Sequence, residues 1–162
     1  MKAKVLTVSD RVSAGEAEDR AGPALVARLA DLGFPAEIEV VPDGVESVRS
    51  ALKGYVSGGI DLVVTTGGTG FGPRDVTPEA TSGVIERPAP GLVEAMRAAT
   101  FGKNPHGMLS RGVAGIAGST LIVNLPGSPA GAEESLEVIG LALSHAMALL
   151  SGKPTEHQAP AS

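Results

Sequence analysis

Ile60-Asp61-Leu62-Val63-Val64-Thr65-Thr66-Gly67-Gly68-Thr69-Gly70-Phe71-Gly72-Pro73-Arg74-Asp75 decides the reading of the chain. Residues 60–65 read as a strand buried on both faces, the pattern of a parallel strand covered by helices on each side. The glycine-rich run that follows cannot hold regular structure. Thr77-Pro78-Glu79 then reads as a helix cap with proline at the first helical position. A strand, a glycine loop and a helix start in that order mark the edge where open α/β sheets place their ligands.

Upstream of this stretch, residues 4–8 form a short apolar strand closed by Ser9-Asp10-Arg11, which reads as a polar loop. Leu25, Val26, Leu29 and Leu32 recur at helical spacing over residues 22–32, and Gly33 supplies the stop. Residues 36–41 read as a second strand. After Pro42-Asp43-Gly44, the apolar positions Val45, Val48, Leu52 and Val56 mark an amphipathic helix ending at Gly58-Gly59. The β-α-β-α-β order makes the strands parallel.

Downstream, a helix is expected over residues 91–100. Residues 111–116 and 120–125 flank Gly118-Ser119 as an antiparallel hairpin. Ser128-Pro129 caps a last helix with Leu136, Ile139, Leu143, Met147 and Leu150 on one face. The fold expected is α/β, a three-layer α/β/α sandwich with a mostly parallel sheet plus a small antiparallel hairpin element. Residues 1–151 form one domain, and residues 152–162, with almost nothing to bury, read as a flexible tail.

The chain has 162 residues, a formal charge of -5 and no cysteine. An acidic chain without a basic run argues against a nucleic-acid partner. Lack of cysteine removes disulfides, thiolate catalysis and zinc-cysteine sites. No span of about 18 apolar residues exists, so no membrane partner is expected and a cytoplasmic location is. Histidines 106, 145 and 157 have no Ser-His-Asp context, and His145 in the last helix is given no role.

In the glycine loop, Gly67, Gly68 and Gly70 let the backbone approach an anion and turn several N–H groups toward it, or they make a tight turn. The spacing matches neither a P-loop nor a Rossmann loop. Asp43 follows the second strand and Asp75 the third, so both reach one sheet edge, where a shared Mg²⁺ would relieve their repulsion. The structural alternative has Asp43 capping its helix and Asp75 pairing with Arg74 or capping its own turn. Ser9, Asp10, Ser13 and Gly15 could hold a ribose or phosphate, or simply be solvated. Pro126-Gly127-Ser128 opens the last helix as an anion site or as a cap. Ser110-Arg111 requires no more than a polar strand entrance.

Val8-Ser9-Asp10-Arg11 with Ala14-Gly15, Thr65 to Gly70, Arg74-Asp75-Val76-Thr77-Pro78-Glu79-Ala80-Thr81, Met108-Leu109-Ser110-Arg111 and Pro126-Gly127-Ser128-Pro129 together resemble the molybdopterin-binding family of molybdenum-cofactor biosynthesis. The resemblance implies a homotrimer whose members transfer AMP from Mg-ATP to the molybdopterin phosphate, with release of pyrophosphate. By the same resemblance Asp43 and Asp75 are catalytic and metal-binding. Thr66, Gly67, Gly68, Thr69, Gly70, Ser110, Pro126, Gly127 and Ser128 would bind the pterin and its phosphate, and Ser9, Asp10, Ser13 and Gly15 the nucleotide. Mg²⁺ is the implied cofactor, ATP the co-substrate and a molybdenum-insertion protein a further partner. Gly44 stands where relatives often carry a second acidic residue. A non-catalytic pterin carrier and an interaction scaffold are the alternatives.

Overall fold

The computed structural model describes residues 1–152. Six strands form one mixed sheet in the order β2-β1-β3-β6-β5-β4: β1 Ala3–Val8, β2 Ala36–Val41, β3 Leu62–Thr66, β4 Arg87–Pro88, β5 Ala114–Ala117 and β6 Thr120–Leu125. β2, β1, β3 and β6 are mutually parallel, while β5 runs antiparallel to both β6 and β4. The sheet is therefore mostly parallel with a small hairpin element, as the sequence implied.

Strand alternation divides the core into two layers. Val5, Leu62, Val64, Leu121 and Val123 face Leu25, Leu29, Val93, Met96, Leu136, Ile139 and Leu143. These helical residues belong to α2 (Ala21–Asp31), α5 (Pro90–Ala98) and α6 (Pro129–Leu150). On the other face Leu6, Val8, Val63 and Ile122 meet Val48, Leu52, Tyr55 and Ala80, from α3 (Val45–Ser57) and α4 (Thr77–Ser82). Every residue of β3 and β6 is buried, which explains the continuously apolar reading of the third strand.

Several local expectations are corrected. Ser9-Asp10-Arg11 is not an open loop. Asp10–Ser13 forms a one-turn helix, α1, because the Ser9 hydroxyl accepts a hydrogen bond from Val12 N at 3.2 Å. β3 starts at Leu62 rather than residue 60, because Ile60 N donates to Tyr55 O and so closes α3. The hairpin strand starts at Ala114 instead of residue 111, because Arg111 N donates to Thr69 O and leaves the sheet for the glycine loop. Pro90 opens α5 one residue early and the helix ends at Ala98. β4 and a 3₁₀ turn at Pro105–Leu109 were not anticipated, since two residues and one turn carry no periodicity. From residue 153 on, the expected tail lies outside the described residues. No described helix is long and apolar enough to cross a membrane.

Candidate functional site

The carboxyl ends of β1, β2, β3 and β6 deliver Ser9, Asp43, Gly67 and Pro126 to one edge of the sheet. Buried threonines fix the loops there. Thr66 Oγ1 donates to Pro126 O at 2.7 Å, and Thr77 Oγ1 to Gly67 O at 2.9 Å. Gly67 (φ +101°) and Gly68 (φ +66°) adopt backbone conformations that L side chains avoid. A Cβ on Gly67 would overlap Val8 O, one on Gly68 would overlap Thr77 Oγ1, and one on Gly127 would lie 3.2 Å from Gly67 Cα. Gly67 and Gly127 are thus required where backbone packs on backbone, and Gly68 where the Thr77 hydroxyl comes in against the loop.

That packing leaves the N–H groups of Gly68, Thr69, Gly70 and Gly127 with no acceptor among the described residues. Unpaired backbone donors gathered where loops meet are the kind of group that can hold an anion. They border a cavity of about 830 Å³ between the glycine loop, the 3₁₀ turn and the start of α6. Of the sequence-derived set, Gly68, Thr69, Gly70, Asp75, Ser110, Pro126, Gly127 and Ser128 line it. Thr66 and Gly67 do not. They sit behind the loop, on a smaller hollow of about 270 Å³ that also receives Ser9. Asp10, Ser13 and Gly15 line neither space.

Asp43 does not cap α3, whose N-cap is Gly44 with no side-chain bond. Instead Asp43 Oδ2 accepts from Asp10 N at 2.8 Å, while Asp43 N donates to Asp10 Oδ1 at 3.1 Å. Arg74 pairs with Asp10, not Asp75: its Nε and Nη2 lie 3.0 and 3.1 Å from the two Asp10 oxygens, and Nη2 also donates to Asp43 O at 2.6 Å. Asp75 caps its own turn, with Oδ2 accepting from Gly72 N at 2.8 Å. Ser128 caps α6 by accepting from Gly131 N, so it has a structural duty as well as a place on the cavity.

Partial burial pushes the Asp43 carboxyl above the usual aspartate range, and the neighbouring Asp10 and Asp75 charges add to this. The Arg74 guanidinium holds Asp10 below that range. Asp43 Oδ1 and Asp75 Oδ2 flank the loop, 3.2 Å from a Cβ built on Gly68 and 2.9 Å from one built on Gly70. Asp43 Oδ1 and Asp75 Oδ1 accept no hydrogen bond among the described residues. Two hard oxygen donors beside an anion site fit Mg²⁺, which binds through one or two carboxylates plus substrate phosphates. They do not fit a metal held wholly by protein. Among the described residues no cluster of three or more acidic or histidine side chains could hold one.

Sequence reasoning offered Arg74 to Asp75 and read Ser110-Arg111 as a strand entrance, because the true partners lie far away in the chain; it did not single out Lys103 and weighed His106 only for a triad, although both line the cavity from a segment without periodicity. His157 lies outside the described residues.

Residues 4–145 match a family described as "Probable molybdopterin binding domain". A Thermus thermophilus molybdopterin biosynthesis enzyme, MoaB, superposes with a TM-score of 0.87 at 47% identity, covering 94% of this chain and 98% of the other. A Helicobacter pylori molybdopterin adenylyltransferase (strain J99) is 41% identical over 91% of this chain and 86% of its own length. A Dictyostelium discoideum gephyrin is 42% identical over 93% of this chain, which spans only 22% of that protein.

Proposed function

This chain belongs to the molybdopterin-binding family of molybdenum-cofactor biosynthesis, and on that premise we propose that it is a molybdopterin adenylyltransferase, passing AMP from ATP to the molybdopterin phosphate. The observation that carries this reading is the meeting, at one edge of the sheet, of acceptor-free N–H groups at Gly68, Thr69, Gly70 and Gly127 with the carboxylates of Asp43 and Asp75 from neighbouring loops. A pure carrier needs the first and has little use for the second.

An oxygen of the pterin phosphate attacks the α-phosphorus of ATP, a Pα–O bond forms, the Pα–O bond to the β-phosphate breaks, and pyrophosphate leaves. The nucleophile is already an anion, so no general base is needed. Catalysis is charge neutralisation and in-line positioning. The loop N–H groups hold phosphate oxygens, and Lys103 adds a cation on the cavity wall. Ser110, lining the same cavity, bonds the pterin, and the α1 turn with Ser9, Asp10, Ser13 and Gly15 is assigned to the nucleotide on the family resemblance alone. Mg²⁺, held by Asp43 and Asp75, would neutralise charge on the transferring phosphate.

We further propose a cytoplasmic homotrimer that hands its product to a molybdenum-insertion protein. Val138, Leu141 and Leu149 stand exposed on α6, with Leu141 93% accessible, and give an apolar stripe suited to a subunit contact.

The test is turnover of molybdopterin, ATP and Mg²⁺ to pyrophosphate and adenylylated pterin. Asp75→Ala and Asp43→Ala should each lower turnover by about 10²-fold or more while pterin binding persists. A shared metal makes the double variant far less than additive. Pterin binding without pyrophosphate release under any divalent cation would leave the carrier reading in its place.

A further inference from the structure

Arg111 lies about forty residues beyond the glycine loop in sequence, yet it makes its main contacts with that loop. Its backbone N donates to Thr69 O at 2.8 Å and its Nε to Gly70 O at 2.8 Å. Its Nη2 donates to Asp75 O, and Nη1 pairs with Glu79 Oε1 in the first turn of α4. One guanidinium therefore grips the segment 70–75 at both ends and ties it to the helix that follows. Between those ends stand Phe71, which is 69% accessible, and Gly72, whose N–H holds the Asp75 carboxylate.

Arg74, the arginine within the segment, faces Asp10 and Asp43 and, among the described residues, its side chain makes no bond to the backbone of residues 70–75. Asp75 is thus placed by three bonds: its carboxylate accepts from Gly72 N, its N–H donates to Gly72 O, and its carbonyl accepts from Arg111 Nη2, the one bond that reaches in from outside the segment. A planar, five-donor guanidinium meets three acceptors in different directions, which a lysine ammonium cannot reproduce.

We infer that Arg111 is a positioning residue that holds the segment 70–75 closed and so sets where the Asp75 carboxylate meets a bound cation. The inference rests on the adenylyl-transfer reading for its functional consequence and on the contacts above for its structural part. Arg111 touches no reacting atom. Its loss lets Asp75 wander without unmaking the anion site, whose N–H groups at Gly68 and Gly127 are fixed by Thr77 and Thr66 instead. The effect falls on the cation requirement rather than on substrate affinity.

Two measurements on the full chain test it, using Arg111→Lys, with Glu79→Gln as the second variant should Arg111→Lys fail to fold. In hydrogen exchange without metal or substrate, the Gly72 and Asp75 amides, which are hydrogen-bonded within the segment, should exchange about tenfold faster in Arg111→Lys, while those of β3 and β6 stay at the wild-type rate. Glu79→Gln, which removes the ion pair but spares the carbonyl bonds, should raise the same amides by a smaller factor. In turnover, the Mg²⁺ concentration for half activity should rise about tenfold with the pterin and ATP KM values within about twofold of wild type.

Uniform acceleration of exchange across the molecule, or none in residues 70–75, would overturn the positioning role. An unchanged Mg²⁺ requirement with kcat falling in step with the folded fraction would also overturn it. Wild-type protein that never turns over, combined with selective exchange at residues 70–75, would refute the adenylyl-transfer reading and leave Arg111 as the clasp of the loop.

Discussion

Gly67→Ala isolates the steric logic of the site. Gly67 sits at φ +101°, and a Cβ there would lie well under 3.0 Å from Val8 O and 3.3 Å from Val8 C. Both atoms are backbone of β1, so no side chain can swing aside. The unfavourable φ costs about 1–2 kcal/mol, and forcing a methyl between two hydrogen-bonded strands costs about 1–3 kcal/mol more. The sum, about 2–5 kcal/mol, corresponds to a fall in Tm of roughly 4–20 °C for a chain of this length. Gly59→Ala is the control. Gly59 also has a positive φ, +69°, but a Cβ there meets nothing within 4 Å. It carries the backbone term alone, about 1–2 kcal/mol. Urea unfolding of both variants, compared at equal m-value, gives the steric term as their difference. If Gly67→Ala is no more destabilised than Gly59→Ala, the close approach of β1 to the loop is not what requires glycine there.

Asn124 is buried, donates to the Thr65 and Thr81 hydroxyls, and accepts from Val113 N. Asn124→Ala should therefore cost about 2–4 kcal/mol in chemical unfolding, because it strands the part-buried Val113 N–H and removes two buried bonds to the Thr65 and Thr81 hydroxyls; a loss under about 1 kcal/mol would show that the network is dispensable. Carboxyl NMR titration should find Asp10 and Glu79 below the ordinary range, held there by Arg74 and Arg111, and Asp43 above it because of burial. The signs for stability are opposite: the contributions of Asp10 and Glu79 are present above the ordinary carboxylate range and are lost as pH falls through their lowered values. The Asp43 contribution is present at low pH and is lost as pH rises through its raised one. Asp75→Asn should lower the Asp43 midpoint by removing a negative neighbour, and an unmoved midpoint would separate the two carboxylates. Light scattering should report a trimer, and Leu141→Glu should dissociate it; a monodisperse wild-type monomer at micromolar concentration would refute that assembly.

The sequence by itself determined what depends on local pattern. The apolar run of β3 and the helical spacing in α2, α3 and α6 report burial directly, since a residue's neighbours on its own element decide which face it shares. The order of those elements made the sheet parallel and put Asp43, the glycine loop and Pro126-Gly127-Ser128 at one edge. Whether Asp43 capped a helix or faced the loop depended instead on Asp10, 33 residues away. Arg74 could not be assigned to Asp10 over the adjacent Asp75, because a guanidinium follows geometry and not sequence distance. The tertiary structure also separated Thr66 and Gly67, which build the site from behind, from Gly68 and Gly70, which open on the cavity. It alone revealed the hold of Arg111 on residues 70–75. These are contacts between loops, where no periodicity records which side chain turns toward which, and only the packing of the sheet beneath them brings the partners together.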